Sequence, residues 1–360
     1  MKLTVNLKLQ PSAEQWALLL QTLERANAAC NYISEQAWSN NVFAQFKLQK
    51  LVYRDIKERF GLSAQMVVRC VAKVADAYKL DRKAKRTFRP HGSIAYDDRI
   101  LRFKPGDLVS LWTLGGRQVI PFLCGSYQRK LLPNRKGEVD LLYVRGIFYL
   151  SVVCDIAEPT ESEATDFLGI DLGIVNIATD SEGTIYSGAK VEEKRRIFAH
   201  RRRNLQRKGT RAARRKLRTL KGKQARFQKD TNHVISKAIV QTAKRTGCGI
   251  ALEDLKGIRD RVTAKRRQRA RLANWSFFQL RSFVSYKARL AGVSVVLVDP
   301  RNTSRTCIQC GSIDKANRPN QATFLCVSCG FLGHADTCAA GVIRARAAVM
   351  RPMVAGQASA

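Results

Sequence analysis

Cys307, Cys310, Cys326 and Cys329 form two CxxC pairs, in TCIQCG (306–311) and FLCVSCG (324–330). Four thiolates at that spacing predict a tetrahedral structural zinc site closed by two knuckles. Asp336 follows at once, in GHADTCAA (333–340), at the head of an alanine-rich helical run. Taken alone, it is either a helix-capping residue or a metal-binding acid beside the knuckle. A second acid, Asp171, lies in the apolar strand Phe167–Leu172, bracketed by Gly169 and Gly173. A carboxylate there is costly unless it is paired or metal-bound; the plainer reading is a turn acid at a strand end. Glu253 closes the strand Ile250–Leu252 and Asp254 follows it, so either can point inward.

Acids on separate elements of one α/β sheet make a site for two divalent cations. Mg²⁺ takes carboxylate oxygens and retains waters. Two ions about 4 Å apart support phosphodiester hydrolysis by generating the nucleophile and stabilising the leaving oxygen. The histidines are less informative. His233 in TNHVISKAIV reads as a helix-start or core residue, and His334 as a knuckle-packing residue or a partner of Asp336.

The basic composition agrees with a phosphodiester substrate. The chain has 360 residues, 45% of them hydrophobic, which suffices for two or three globular units. Its formal net charge of +35 calls for a polyanionic partner, nucleic acid first and an anionic membrane surface second. No apolar run approaches the roughly 20 residues of a spanning helix. MKLTVNLKLQ alternates like a strand, not like a secretory leader. Of ten cysteines, the six outside the CxxC pairs are scattered singly in apolar surroundings, the pattern of buried thiols in a reducing cytosol.

From Lys194 to Lys229 the chain holds no acid and many Arg and Lys, including Arg195, Arg196, Arg201, Arg202, Arg203, Arg207, Arg211, Arg214 and Arg215. Solvated helices mix signs, so a block of one sign points to a phosphate backbone. A second cluster, RDRVTAKRRQRARLANW (259–275) with Lys265, Arg266 and Arg267, follows Glu253 and reads as a basic segment ordered with nucleic acid. Such contacts position a strand without reading its sequence and give steep salt dependence.

These residues are carried by a recognisable order of elements. Leu3, Val5, Leu7 and Leu9 alternate on one face of a first strand. Helical spacing begins after a Ser12 cap, and a helical unit of about 80 residues interrupts the β element. Its third helix is expected to be capped by Ser63. From Ser93 to Ile156, five apolar segments separated by Gly, Pro or Asn turns predict a small antiparallel barrel that the first strand completes. The polar stretch EPTESEATD (158–166) marks a boundary. Strands then alternate with helices, which predicts an α/β domain with a mixed sheet.

GIDLG (169–173), ALEDL (251–255), WSFFQLRSFVSYKA (275–288), PRNTSRTCIQCG…CVSCG (300–330) and GHADTCAA (333–340), in this order, resemble the RuvC-like nuclease domain of TnpB, a transposon-encoded family related to type V CRISPR effectors. The resemblance covers Phe167 to about Arg346; the N-terminal half matches in layout more than in motif. It implies a multidomain α+β fold: a β-barrel wedge domain interrupted by a helical recognition domain, then an RNase H-like (RuvC) α/β nuclease domain with an inserted four-Cys zinc knuckle. The implied bounds are 1–10 for the first wedge strand, 11–92 for the recognition domain and 93–157 for the wedge barrel. A linker (158–166) leads into the nuclease domain (167–300 and 333–350), the knuckle occupies 301–332, and 351–360 is a tail.

The same resemblance implies an Mg²⁺-dependent, RNA-guided DNA endonuclease. It would bind a guide RNA from the transposon end and cleave matched double-stranded DNA next to a short motif. Asp171, Glu253 and Asp336 would be the catalytic acids holding two Mg²⁺ ions, with Asp254 a surface residue, and Cys307, Cys310, Cys326 and Cys329 would hold one Zn²⁺. A monomer in the cytosol of a bacterium or archaeon, associated with the nucleoid and not a membrane, is expected. The alternatives are a guided DNA-binding regulator without cleavage and an unguided transposition accessory. The chain departs from the family in Cys338, where relatives usually carry Asn two residues after the last acid. It also ends soon after Arg346, so a C-terminal extension found in relatives is expected to be missing.

Overall fold

The computed structural model describes residues 1–162, 164–255 and 277–355, with 350–355 described by backbone alone. The chain divides into two compact units, Met1–Ala157 and Glu158–Ala360.

In the first unit, β1 (Lys2–Leu9) buries Val5, Leu7 and Leu9 and exposes the residues between them, the period-two pattern of a half-buried strand. Three helices follow: α1 (Ala13–Ser39), α2 (Gln45–Phe60) and α3 (Ala64–Leu80). Ser12 caps α1 and forms a capping box with Gln15, and Ser63 caps α3 through the Met66 amide. Gly61 ends α2 in the left-handed conformation at φ 61°, open to glycine without strain.

The chain then returns to strands: β2 (Ile94–Tyr96), β3 (Leu101–Lys104), β4 (Leu108–Thr113), β5 (Gly116–Leu123), β6 (Arg135–Val144) and β7 (Ile147–Asp155). A short helix, α4 (Ser126–Leu131), sits between β5 and β6. The seven strands form one sheet in the order β2-β6-β7-β1-β5-β4-β3. The first strand therefore lies in the middle, antiparallel to β5 and β7. Its two edges, β2 and β3, are consecutive in the chain, so the sheet curls towards closure. The helices pack on it through Leu19, Leu23, Met66 and Val67, in one core with Leu7, Val109, Ile120 and Leu150.

In the second unit, β8 (Phe167–Asp171), β9 (Asn176–Asp180) and β10 (Ile185–Ser187) form a meander, followed by α5 (Ala189–Lys208) and α6 (Arg211–Thr246). After β11 (Gly249–Glu253) come α7 (Phe277–Ala291) and β12 (Val295–Val298). The sheet order is β10-β9-β8-β11-β12, with β8, β11 and β12 parallel and the meander antiparallel. This is the mixed sheet expected. A hairpin of β13 (Thr323–Leu325) and β14 (Leu332–His334) leads into α8 (Ala335–Ala355).

The sheet has helices on both faces. Leu168, Ile170, Ile250 and Leu252 pack against Ile235, Ile239, Leu280 and Val284 of α6 and α7. Phe167, Ala251 and Val298 point the other way, onto Ile343 and Ala347 of α8. Ser162 and Asp166, from the polar boundary stretch, are docked on this unit: Ser162 donates from N and Oγ to the Gly292 carbonyl at 2.9 and 3.1 Å, and Asp166 pairs with Arg344. Among the described residues no helix is long and apolar enough to cross a membrane.

Candidate active site

The two-residue period of a strand decides where the acids point. Phe167 and Ala251 face α8, so Asp171 and Glu253, four and two residues further on, face the same side. Both are the last residues of neighbouring parallel strands, paired so that Leu252 lies opposite Ile170. Carboxyl ends of adjacent parallel strands are where open α/β sheets build ligand sites.

Gly169 sets the distance to the third acid. A β-carbon there would lie 2.0 Å from the Ala340 carbonyl oxygen and 2.7 Å from the Arg344 amide nitrogen, both on α8. Only glycine lets α8 rest directly on β8, and that contact brings the first turn of α8, with Asp336, beside the strand ends. Asp336 does not act as the helix cap that its position suggests: its oxygens accept from Asn176 Nδ2 at 2.9 Å and Arg318 Nη2 at 3.0 Å.

The electrostatics are those of crowded acids. Burial, reinforced by the negative charges of Glu253 and Asp336, pushes the Asp171 carboxyl up to about 7; Arg318 and the Leu172 amide oppose the rise. Glu253 is 7% exposed, and burial raises its pKa against the opposing effects of the Thr303 hydroxyl and Arg346. Thr303 Oγ1 donates to Glu253 Oε1 at 2.5 Å. Asp254 faces outward and pairs with Arg281 at 2.7 Å, as expected of a surface residue.

Three residues here escaped the sequence reading: Asn176, Thr303 and Arg318. Asn176 starts β9, Thr303 sits in the turn after β12, and Arg318 lies between the two CxxC pairs. Arg318 approaches both Asp336 and Asp171, so the knuckle delivers a cation into the acid cluster. Its only local signal is a basic residue in the loop between the two CxxC pairs. Cys338 is 5% exposed and packs with Cys307, Phe324 and Cys326 in the knuckle core. The amide that bonds Asp336 comes from Asn176, at the start of β9.

The four cysteines converge as expected. Their sulfurs all lie within 4.8 Å of one another, with Cys307–Cys329 at 3.7 Å and Cys310–Cys326 at 3.6 Å. Tetrahedral Zn–S bonds of about 2.3 Å require S···S separations of about 3.8 Å, so the quartet fits Zn²⁺. Gly311 and Gly330, both at φ 74°, follow each knuckle, where the chain must turn left-handed to wrap the metal. Among the described residues this is the one group bringing three or more metal-ligating atoms within 4.8 Å.

The basic residues of α5 and α6 form an antiparallel helical pair joined at Gly209 (φ 64°), with Thr210 capping α6. Arg201, Arg203, Arg207, Arg211, Arg214 and Arg215 are exposed. Arg195 and Arg196 are tied to Glu192, at 2.6 and 3.2 Å, and Arg202 donates to Gln224 at 2.8 Å. Lys265, Arg266 and Arg267 lie outside the described residues. His233 is stacked on Phe283 with ring centroids 4.0 Å apart, a packing role.

Two family models match, "Probable transposase" over residues 151–258 and "Cas12f1-like, TNB domain" over residues 277–343. The chain is 35% identical over 207 residues to the CRISPR-associated endodeoxyribonuclease Cas12f1 of Sulfoacidibacillus thermotolerans, covering 52% of this chain and 48% of that one. It is 35% identical over 129 residues to a TnpB-like protein of Methanocaldococcus jannaschii, covering 34% and 46%. It is 26% identical over 212 residues to the putative RNA-guided DNA endonuclease InsQ of Escherichia coli, covering 53% and 52%. The chain thus spans about half the length of the curated relatives it matches. The structure of the mini-RNA-guided endonuclease CRISPR-Cas_phi3 shares the fold at a TM-score of 0.54 and 11% identity, covering 97% of this chain and 92% of that one. By these matches about half of the chain is similar to TnpB-like and Cas12f1 proteins, in line with the resemblance that its motifs carry.

Proposed function

We propose that the protein is an RNA-guided DNA endonuclease of a transposon, cleaving phosphodiesters with the RuvC-like acids Asp171, Glu253 and Asp336. The observation that carries this reading is the convergence of three carboxylates from β8, β11 and α8, with Asp171 raised to about 7. Buried acids that oppose one another are unfavourable for folding alone, and such clusters mark functional sites.

The donor set is all oxygen, which suits Mg²⁺, and two such ions would supply the attacking hydroxide and stabilise the leaving oxygen. Asp171, Glu253 and Asp336 would hold them. Thr303 fixes the orientation of Glu253, and Asn176 that of Asp336. Arg318 balances the acids in the metal-free site and stands where it can meet a phosphate oxygen as negative charge builds on it. The zinc knuckle would fix the loop that carries Arg318.

The exposed arginines of α5 and α6 would grip nucleic-acid backbone, leaving sequence choice to the guide by base pairing. The partners would be guide RNA from the transposon end and double-stranded target DNA, in the cytosol of a bacterium or archaeon. The domain roles follow the same reading: α1–α3 as the recognition domain, the seven-stranded sheet as the wedge, and the second unit as the nuclease.

Sequencing the RNA that co-purifies with the full chain, then assaying cleavage of a guide-matched duplex in Mg²⁺, tests the proposal. A discrete bound RNA and cleavage lost in Asp171→Ala are expected. Equal cleavage by wild type and Asp171→Ala would overturn the site assignment, and the lack of any discrete RNA would favour an unguided accessory.

A further inference from the structure

The barrel-like sheet of the first unit is not closed, and its open seam has the chemistry of a nucleotide pocket. β3 ends the sheet order and pairs with β4 alone. On the opposite lip, β2 pairs with β6 only over Val139–Leu141, leaving the start of β6 uncovered by β2. The β6–β7 register slips between Arg135 and Val139, and Gly137 bends the strand at φ 78°. Between the lips lies a cavity of about 490 Å³, lined by Asp98, Arg102, Phe103, Arg135, Gly137 and Val139 among others. That volume falls in the range of about 300–1,000 Å³ occupied by small-molecule sites.

The lining is mixed in a specific way. Arg135 lies over the Phe103 ring at 5.1 Å, and Phe103 is itself braced edge-on by Phe122 with centroids 5.7 Å apart. A guanidinium held on a braced aromatic ring offers its outer face to a nucleobase. Arg102 and Arg135 offer two cations for a phosphate. Asp98, the acid of the lining, repels phosphate and accepts hydrogen bonds from an exocyclic amino group. Strand edges left unpaired add backbone donors and acceptors. None of these side chains belongs to the acid cluster or to the basic helices.

We propose that this seam binds one unpaired nucleotide of a polynucleotide, the base stacked on the outer face of Arg135, which Phe103 backs, and its phosphate held by Arg102 and Arg135. The inference rests on the reading that the chain binds nucleic acid, and it adds a base-accepting site on the N-terminal unit. The strand can come from RNA or from single-stranded DNA; the chemistry of base and phosphate is shared, and Asp98 favours bases that carry an amino group.

Photo-crosslinking tests it on the full chain. A pentaribonucleotide carrying 5-iodocytidine and its deoxyribonucleotide counterpart are irradiated with the protein, and adducts are mapped by mass spectrometry. Adducts on the peptides of Phe103 or Arg135 are expected, with RNA, DNA or both naming the source of the strand. Phe103→Leu should cut that adduct about tenfold, the scale of one lost base–aromatic stack. Arg135→Gln, an exposed position that leaves the core intact, should do the same if Phe103→Leu fails to fold. Adducts confined to α5 and α6, or undiminished in both variants, would overturn the pocket. Guided DNA cleavage is assayed separately: adduct without cleavage leaves the pocket standing and removes the nuclease reading, and the converse removes the pocket alone.

Discussion

The two units treat buried polar groups in opposite ways. In the N-terminal unit the buried Asn27 and Ser34 are satisfied locally. Asn27 donates to the carbonyls of Leu23, Pro90 and Gly92 and accepts from Lys73, while Ser34 pairs with Tyr78 and the Arg86 carbonyl. In the C-terminal unit the buried acids are set against each other, with Asp171 pushed up to about 7 by burial and by two neighbouring carboxylates. The first arrangement tightens a fold. The second works against one, and on the function proposed above a cationic ligand would relieve it. A polar residue therefore signals function when its partners are of like charge, not merely because it is buried.

That contrast can be broken at several points. Asp171→Ala should lower guide-dependent cleavage by about a thousandfold or more, the scale of losing a metal-holding acid, while the melting temperature in Mg²⁺-free buffer stays level or rises. A lower melting temperature would place Asp171 with the structural polar groups of the first unit. Gly169→Ala forces a β-carbon into the Ala340 carbonyl. It should destabilise the C-terminal unit by about 2–4 kcal/mol and abolish cleavage without touching any acid, read by calorimetry beside the nuclease assay. Its counterpart in the other unit is Leu7→Ala in the central strand β1. The expected cost is about 2–5 kcal/mol, with the zinc content of the chain unchanged.

Metal analysis should find one zinc per chain, and Cys310→Ser should remove it and cut activity by releasing the loop of Arg318, with all three acids retained. A zinc-free protein of normal stability would count against the knuckle.

The smallest effect is the pH response of the metal-free protein. The folded-state pKa of Asp171 is raised from 3.8 to about 7. Between those values the folded state binds more protons than the unfolded one, so this group's contribution falls as pH rises through that window and is flat above it. Asp171→Asn, which cannot ionise, should lack the fall. Wild type should therefore lose on the order of a few kcal/mol relative to Asp171→Asn between pH 5 and 8, in buffer without divalent cations. Parallel melting curves would show that Asp171 ionises freely.

Much of this was legible from local pattern. The alternation of Leu3, Val5, Leu7 and Leu9, the caps Ser12 and Ser63 and the cysteine quartet depend on residues close together in the chain, whereas Asp171, Glu253 and Asp336 were singled out by the resemblance of their motifs. Chain neighbours are constrained by period, capping and ligand spacing, and those rules act without knowledge of the fold. What the sequence did not reveal by itself was who meets whom across it. Asn176, Thr303 and Arg318 reach the acids from a strand start, a turn and a knuckle loop, none with a periodic or spacing signal. The contact of Gly169 with α8, the central place of β1 and the open seam at Phe103 likewise exist only once strand order is set. Strand order follows from the summed burial of many side chains, and no short segment encodes it.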